Sequence, residues 1–194
     1  MASTPVRLIV GLGNPGVKYT KTRHNAGFWF VEALANAANA SFRVENKFSG
    51  EACKINIDGN AVWLLKPTTF MNRSGLAVKQ ISSFYKIPVE SILVAHDELD
   101  LAPGTARLKE GGGHGGHNGL RDIHAHLGKE YNRLRLGVGH PGDRNKVVDY
   151  VLSPVNTGDE IDINNSIDHA LDVVEWVVTG EMQKAMNRLH SDRS

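Results

Sequence analysis

Two short apolar runs constrain this chain more than any other feature of it. Val6-Arg7-Leu8-Ile9-Val10 stops at a glycine turn, and Ser91-Ile92-Leu93-Val94-Ala95 stops at His96-Asp97-Glu98. Such runs, bounded by turn or polar signals, read as buried strands. Each strand therefore delivers polar groups at its carboxyl end. Between and after them the period changes to that of helices. Asn25, Ala26, Phe28, Val31, Leu34 and Ala38 recur at helical spacing, as do Leu76, Ile81 and Phe84 ahead of Pro88. Ala52 to Ile57 and Ala61 to Leu65 read as strands flanking Asp58-Gly59-Asn60, a hairpin signal. Thr105 to Glu110 and Tyr131 to Val138 alternate as strands, with a helix predicted over Asn118 to Leu127. Ile167, Leu171, Val174 and Val178, with Met182 and Met186 beyond, give the tail a helical stripe.

Strands that alternate with helices predict an α/β fold: a single compact domain over residues 1–194, with a mixed twisted sheet flanked by helices. Composition agrees, with 41% hydrophobic and 22% charged residues. The one cysteine, Cys53, sits in a predicted strand and excludes an intramolecular disulfide and a four-cysteine zinc site. No apolar run approaches the roughly 20 residues that span a bilayer. Met1 to Arg7 lacks the basic start and apolar stretch of a secretory signal. The expectation is a cytoplasmic chain without membrane attachment.

A net charge of +1 conceals an asymmetry. Residues 1–150 carry 19 Lys/Arg against 13 Asp/Glu, and residues 151–194 carry 3 against 8. A polyanion is a natural partner for the basic part, although solvated helix faces produce similar imbalances. The 7% of aromatic residues form no regular array of base-stacking rings.

Four places hold residues suited to chemistry. Gly11-Leu12-Gly13-Asn14-Pro15-Gly16 matches the dinucleotide fingerprint G-x-G-x-x-G. Yet Asn-Pro-Gly favours a turn over a helix start, and Val17 to Arg23 has no apolar helical stripe. An Asn-bearing active-site turn suits these residues better. Arg23-His24-Asn25 precedes the first helix; its histidine is a surface or capping residue unless a carboxylate partners it. His96-Asp97-Glu98 could supply that partner, since ligands bind at the strand ends of α/β sheets. Gly111 to Asn118, with five glycines in six residues, makes a loop able to admit a bulky ligand or cradle phosphate, or merely a mobile surface segment. His114, His117, His124 and His126 invite a metal reading, but no ligand motif accompanies them. No metal site is expected.

Together these blocks resemble bacterial-type peptidyl-tRNA hydrolases. The resemblance is carried by Leu8 to Gly16, Thr22 to Gly27, Lys66 to Gly75, His96 to Asp100, Gly111 to Asp122 and Arg133 to Gly142, in the family's order. It implies hydrolysis of the ester joining a peptide to the 3′-terminal ribose of tRNA, by a cytoplasmic monomer without metal or cofactor. It implies that His24 is the general base and that Asp97 holds and stabilises it. Asn14 would separate N-blocked peptidyl-tRNA from free aminoacyl-tRNA. Tyr19, Phe70, Asn72 and Asn118 would contact the acceptor end, with Met71 lining the cleft. The helix after the glycine loop, with Arg107, Lys109, Arg133 and Arg135 nearby, would meet phosphates. Two rivals stand beside this reading. A non-catalytic RNA-binding relative shares the fold. A dinucleotide-dependent oxidoreductase would need an acidic ribose ligand, for which Glu32 has the approximate spacing but falls within the predicted first helix.

Overall fold

In the computed structural model the described residues are 2–191. The first apolar run forms β1 (Leu8–Gly11), every residue of it buried, because it lies at the centre of a sheet covered on both faces. The other strands are β2 (Arg43–Glu45), β3 (Gly50–Ile57), β4 (Asn60–Pro67), β5 (Ile92–Glu98), β6 (Ala106–Glu110) and β7 (Asn132–Gly137). Their order across the sheet is β2-β3-β4-β1-β5-β7-β6. The four inner strands β4, β1, β5 and β7 run parallel, and β3, β2 and β6 add antiparallel edges. The mixed sheet expected from the sequence is present.

The predicted hairpin is β3–β4, closed by Asp58 and Gly59 at φ 50 and 79. Two consecutive positive φ values mark the turn whose twist matches paired strands. The helices are α1 (Ala26–Ala37), α2 (Ser74–Phe84), α3 (Asn118–Leu127), α4 (Val147–Val151), α5 (Thr157–Leu171), α6 (Val174–Val178) and α7 (Met182–His190). α3 has the expected bounds: His117 caps its start, and Gly128, at φ 78, ends it. The tail differs from a single stripe, being broken into three helices, α5 to α7. The short edge strand β2 was not foreseen.

Two apolar clusters hold the layers together. On one face α1 and α5 to α7 cover Ile9, Leu64, Leu93 and Leu134. On the other, α2 and α3 cover Leu8, Val10, Leu65, Ile92 and Val94. Each fully buried aliphatic side chain contributes about 1.5–3 kcal/mol. Cys53 is buried within the first cluster, as a structural strand residue. The chain leaves β1 through α1 on one face and leaves β4 through α2 on the other. The carboxyl ends of β1 and β5 therefore frame a crevice, the place where open α/β sheets bind ligands. No helix among the described residues is long and apolar enough to cross a membrane.

Candidate active site

The crevice is built by close backbone approach. A Cβ on Gly27 would lie 2.3 Å from Ala95 O and 2.5 Å from Leu12 N, so only glycine lets α1 begin against β1 and β5. That contact sets the 3-10 turn Arg23–Asn25 beside the end of β5. Asn25, buried, clamps the turn after β1: its Oδ1 accepts from Asn14 N at 2.8 Å, and its Nδ2 donates to Asn14 O at 3.0 Å. Asn14 Oδ1 in turn accepts from Met71 N at 2.8 Å. The Asn14 amide is thereby oriented, and its Nδ2 makes no hydrogen bond among the described residues. Only a donor remains available to a ligand.

Asp97 stands at the centre of the polar cluster. Strand alternation turns it toward the α1 face and His96 toward the α3 face. Its Oδ2 lies 2.9 Å from His24 Nδ1 and its Oδ1 2.8 Å from His117 Nε2. His117 Nδ1 accepts from Gly119 N and Leu120 N, which assigns the His117 proton to Nε2. His117 thus donates to Asp97 while capping α3. His24 Nδ1 donates to the same carboxylate, leaving its Nε2 with no hydrogen bond among the described residues. Burial opposes ionisation of Asp97, but the charges of His24 and His117 and their hydrogen bonds outweigh it and hold the carboxyl well below its usual range. Burial also opposes a charged His24; the Asp97 charge and hydrogen bond prevail and raise its pKa above 6.5. A carboxylate that orients an imidazole and stabilises its protonated form is the support a general base requires.

Around this cluster lies an exposed rim. Phe70 is 58% exposed, and its ring meets that of Tyr19 edge-on at 6.3 Å. Asn72 and Asn118 are exposed on facing elements, since α3 packs against the turn Met71–Arg73 and Asp122 Oδ2 accepts from Gly75 N at 2.7 Å. Met71 itself is buried beneath the rim. Beside it, His96, Glu98, Lys109, Gly113, Arg133 and Arg135 line a cavity of about 240 Å³. His96 Nδ1 is 2.8 Å from Asp97 O, and Nε2 is buried without a partner. Burial, the largest cause, lowers the His96 pKa to about 4.

Contacts link the expected side chains in series, with His24 on Asp97, Asn14 on Met71 N, Tyr19 against Phe70 and the helix of Asn118 against the turn of Asn72, but the cations divide. Lys109 and Arg107 are exposed; Arg135 Nε donates to Glu98 Oε1 at 2.9 Å. Arg133 differs from the other three in its burial. It is buried beneath the glycine loop, with its guanidinium committed to backbone carbonyls.

Three contributors went unassigned in the sequence. Asn25 and His117 lie within blocks already singled out, but neither was given a role there. Arg23 is buried, stacks 4.0 Å from the Tyr150 ring, and donates through Nη1 to Tyr150 O and Ser153 Oγ. It anchors the His24 turn to α4 and the segment that follows. The expected turn at Asn14-Pro15-Gly16 is present, with Gly16 at φ 106, followed by a 3-10 turn rather than an α-helix. Glu32 lies inside α1, 3.6 Å from Lys66 Nζ, and not at a ribose site.

His24, Asp97 and His117 are the only group of three candidate metal donors among the described residues, with donor atoms within 4.8 Å of one another. They do not suit a metal ion. A metal on His117 Nε2 would displace the ring proton to Nδ1, which would then no longer cap α3.

The site can be set beside known proteins. A family model described as peptidyl-tRNA hydrolase matches residues 8–194. The peptidyl-tRNA hydrolase of Stenotrophomonas maltophilia strain R551-3 is 54% identical over 189 residues, 97% of this chain and 98% of that protein. That of Haemophilus influenzae is 55% identical over 188 residues, 96% of this chain and 97% of that protein. The crystal structure of peptidyl-tRNA hydrolase from Acinetobacter baumannii superposes with a TM-score of 0.96 at 49% identity, covering 100% of this chain and 98% of that one.

Proposed function

The chain belongs to the peptidyl-tRNA hydrolase family, and on that premise we propose that His24 activates the water that attacks its substrate. The reaction is hydrolysis of the ester bond of peptidyl-tRNA. In our reading, His24 Nε2 takes a proton as the water oxygen bonds to the ester carbonyl carbon. Asp97 stabilises the resulting imidazolium through Nδ1. The carbonyl oxygen carries the developing negative charge until the bond to the 3′ oxygen of the terminal ribose breaks. His24 then returns its proton to that oxygen. The products are a tRNA with a free hydroxyl and a peptide carboxylic acid, which releases its remaining proton to solvent to become the carboxylate.

The observation that carries this reading is the 2.9 Å bond from His24 Nδ1 to Asp97, which leaves Nε2 unpaired at the crevice. Asn14 presents Nδ2 as a donor to a substrate carbonyl. A free aminoacyl group would set an ammonium against that donor, an unfavourable pairing of like polarity. Tyr19 and Phe70 offer apolar contact at the rim. Asn72 and Asn118 offer hydrogen bonds to the acceptor end, and Lys109 with Arg107 and Arg135 offers charge to its phosphates. Phosphate contacts without base contacts suit an enzyme acting on many tRNAs. We place the protein in the cytoplasm, acting as a monomer.

Release of the acyl group from N-acetyl-aminoacyl-tRNA, measured on the purified protein and on His24→Ala, tests the proposal. Turnover by the wild type and its loss in a folded mutant are expected. Equal turnover by both would remove His24 from the mechanism.

A further inference from the structure

Arg133 projects from β7 beneath the glycine loop and is 2% exposed. Its Nη1 donates to Gly113 O. Its Nη2 donates to Gly112 O and to Lys129 O and lies 3.1 Å from His124 Nε2. Gly111, Gly112, Gly115 and Gly116 all have positive φ, so the loop has little intrinsic preference for one shape. It runs directly into His117, which both caps α3 and donates to Asp97. On its other side the loop meets Lys109: a Cβ on Gly112 would come within 2.8 Å of Lys109 Cε and 2.9 Å of Nζ. The loop therefore lies between a buried guanidinium, which bonds its carbonyls, and an exposed lysine side chain, which packs beside it. A guanidinium can hold two adjacent carbonyls in one planar fork, which an ammonium cannot reproduce.

We propose that Arg133 is a positioning residue: it fixes the glycine loop so that His117 stays on Asp97 while Lys109 and Arg135 face phosphate. One buried cation thereby joins the catalytic cluster to the basic cavity. The inference rests on the roles given above to His24 and Asp97 and deepens them. Around Arg133 the titratable and charged groups are His124, Lys129, Glu130, Tyr131 and Arg135, with Lys109 opposite it on β6 and His96 lining the same cavity. Around Asp97 they are His24, His117 and His96.

The test is Arg133→Lys, with kcat and KM for N-acetyl-aminoacyl-tRNA measured across pH. A positioning role predicts kcat lowered roughly tenfold near neutral pH, the effect of about one loosened charge-assisted hydrogen bond, with KM nearly unchanged. The acid limb of kcat should also move to higher pH. Asp97, with less help from His117, would leave more of its negative charge for His24 and raise the imidazole pKa. Part of the lost activity would return at alkaline pH, which partial unfolding would not produce. A raised KM with unchanged kcat and acid limb, and a smaller salt dependence, would make Arg133 a phosphate ligand and overturn the proposal. Gly112→Ala disturbs the same loop through its backbone, because φ 111 disfavours a side chain there and the added Cβ meets Lys109; it leaves the Arg133 side chain unchanged and serves even if Arg133→Lys does not fold. It should shift the acid limb in the same direction; an unmoved limb would break the link from loop to Asp97. An acid limb that persists in a fully active His24→Ala protein would instead overturn the reading of the site, and the positioning role with it.

Discussion

The crevice has two halves of opposite construction. In the inner half, Asn14, Asn25, His24, Asp97 and His117 are buried or nearly so and hold one another by hydrogen bonds of 2.8–3.0 Å. In the outer half, Phe70, Asn72, Lys109 and Asn118 stand in solvent, and among the described residues the Asn118 side chain bonds only its own helix, at 3.3 Å from Arg121. On the proposed function, the contrast separates two tasks. Bond cleavage needs groups fixed before the substrate arrives, because misplacement by about 1 Å costs roughly 10²-fold in rate. Holding many different peptides and tRNAs needs hydrated, adaptable contacts. Inner substitutions should therefore act on kcat, and outer ones on KM.

His24→Ala should break the inner half most completely. Steady-state kinetics should show kcat lower by about 10²–10⁴-fold, the range for a lost general base, while tRNA affinity measured by fluorescence titration persists. Asp97→Asn follows, with kcat lower by about 10²-fold. Its new amide would face an imidazole N–H, or turn His24 into the tautomer that lacks a free acceptor at Nε2. Its sign in pH is also defined. The Asp97 charge raises the His24 pKa, so its removal should move any residual acid limb to lower pH.

Asn14→Asp sharpens the comparison at the boundary of the halves. One carboxylate oxygen can keep the bond from Met71 N, while the other replaces the donor with an acceptor that attracts an ammonium. The ratio of N-acetyl-aminoacyl-tRNA to aminoacyl-tRNA hydrolysis should fall roughly tenfold, about one hydrogen bond's worth. An unchanged ratio in a folded, active mutant would leave Asn14 as a turn residue. The smallest effect is expected in the outer half. Lys109→Ala should raise KM about threefold at constant kcat, and reduce the salt slope of tRNA binding by about one phosphate contact.

The inner half was legible in part, and for particular reasons. Leu8 to Val10 and Ile92 to Ala95 are apolar because both their faces are covered, so strands could be read there without ambiguity. The strand containing Asp97 thus announced a polar carboxyl end. That His24 meets Asp97, 73 positions away, follows from a crossover that no local pattern encodes; resemblance supplied the pairing. β2 stayed hidden because Arg43, Val44 and Glu45 bury no side chain. The burial of Arg133 was not legible in the sequence, for a physical reason. Three arginines and a lysine at alternate positions of β6 and β7 look alike in sequence, and only the loop folded over one of them makes it internal. His117 was visible as a histidine in a glycine loop, yet its partner lies on another strand.

The most direct measurement of the central claim compares two titrations of the free enzyme. NMR follows the His24 imidazole through pH, and kinetics give the acid limb of kcat/KM for N-acetyl-aminoacyl-tRNA, which reports the pKa of the essential base. If His24 is that base and Asp97 supports it, both curves share one midpoint above 6.5, and both move down together in Asp97→Asn. A kinetic limb that departs from the His24 titration, or that stays in place when Asp97 is replaced, would contradict the account.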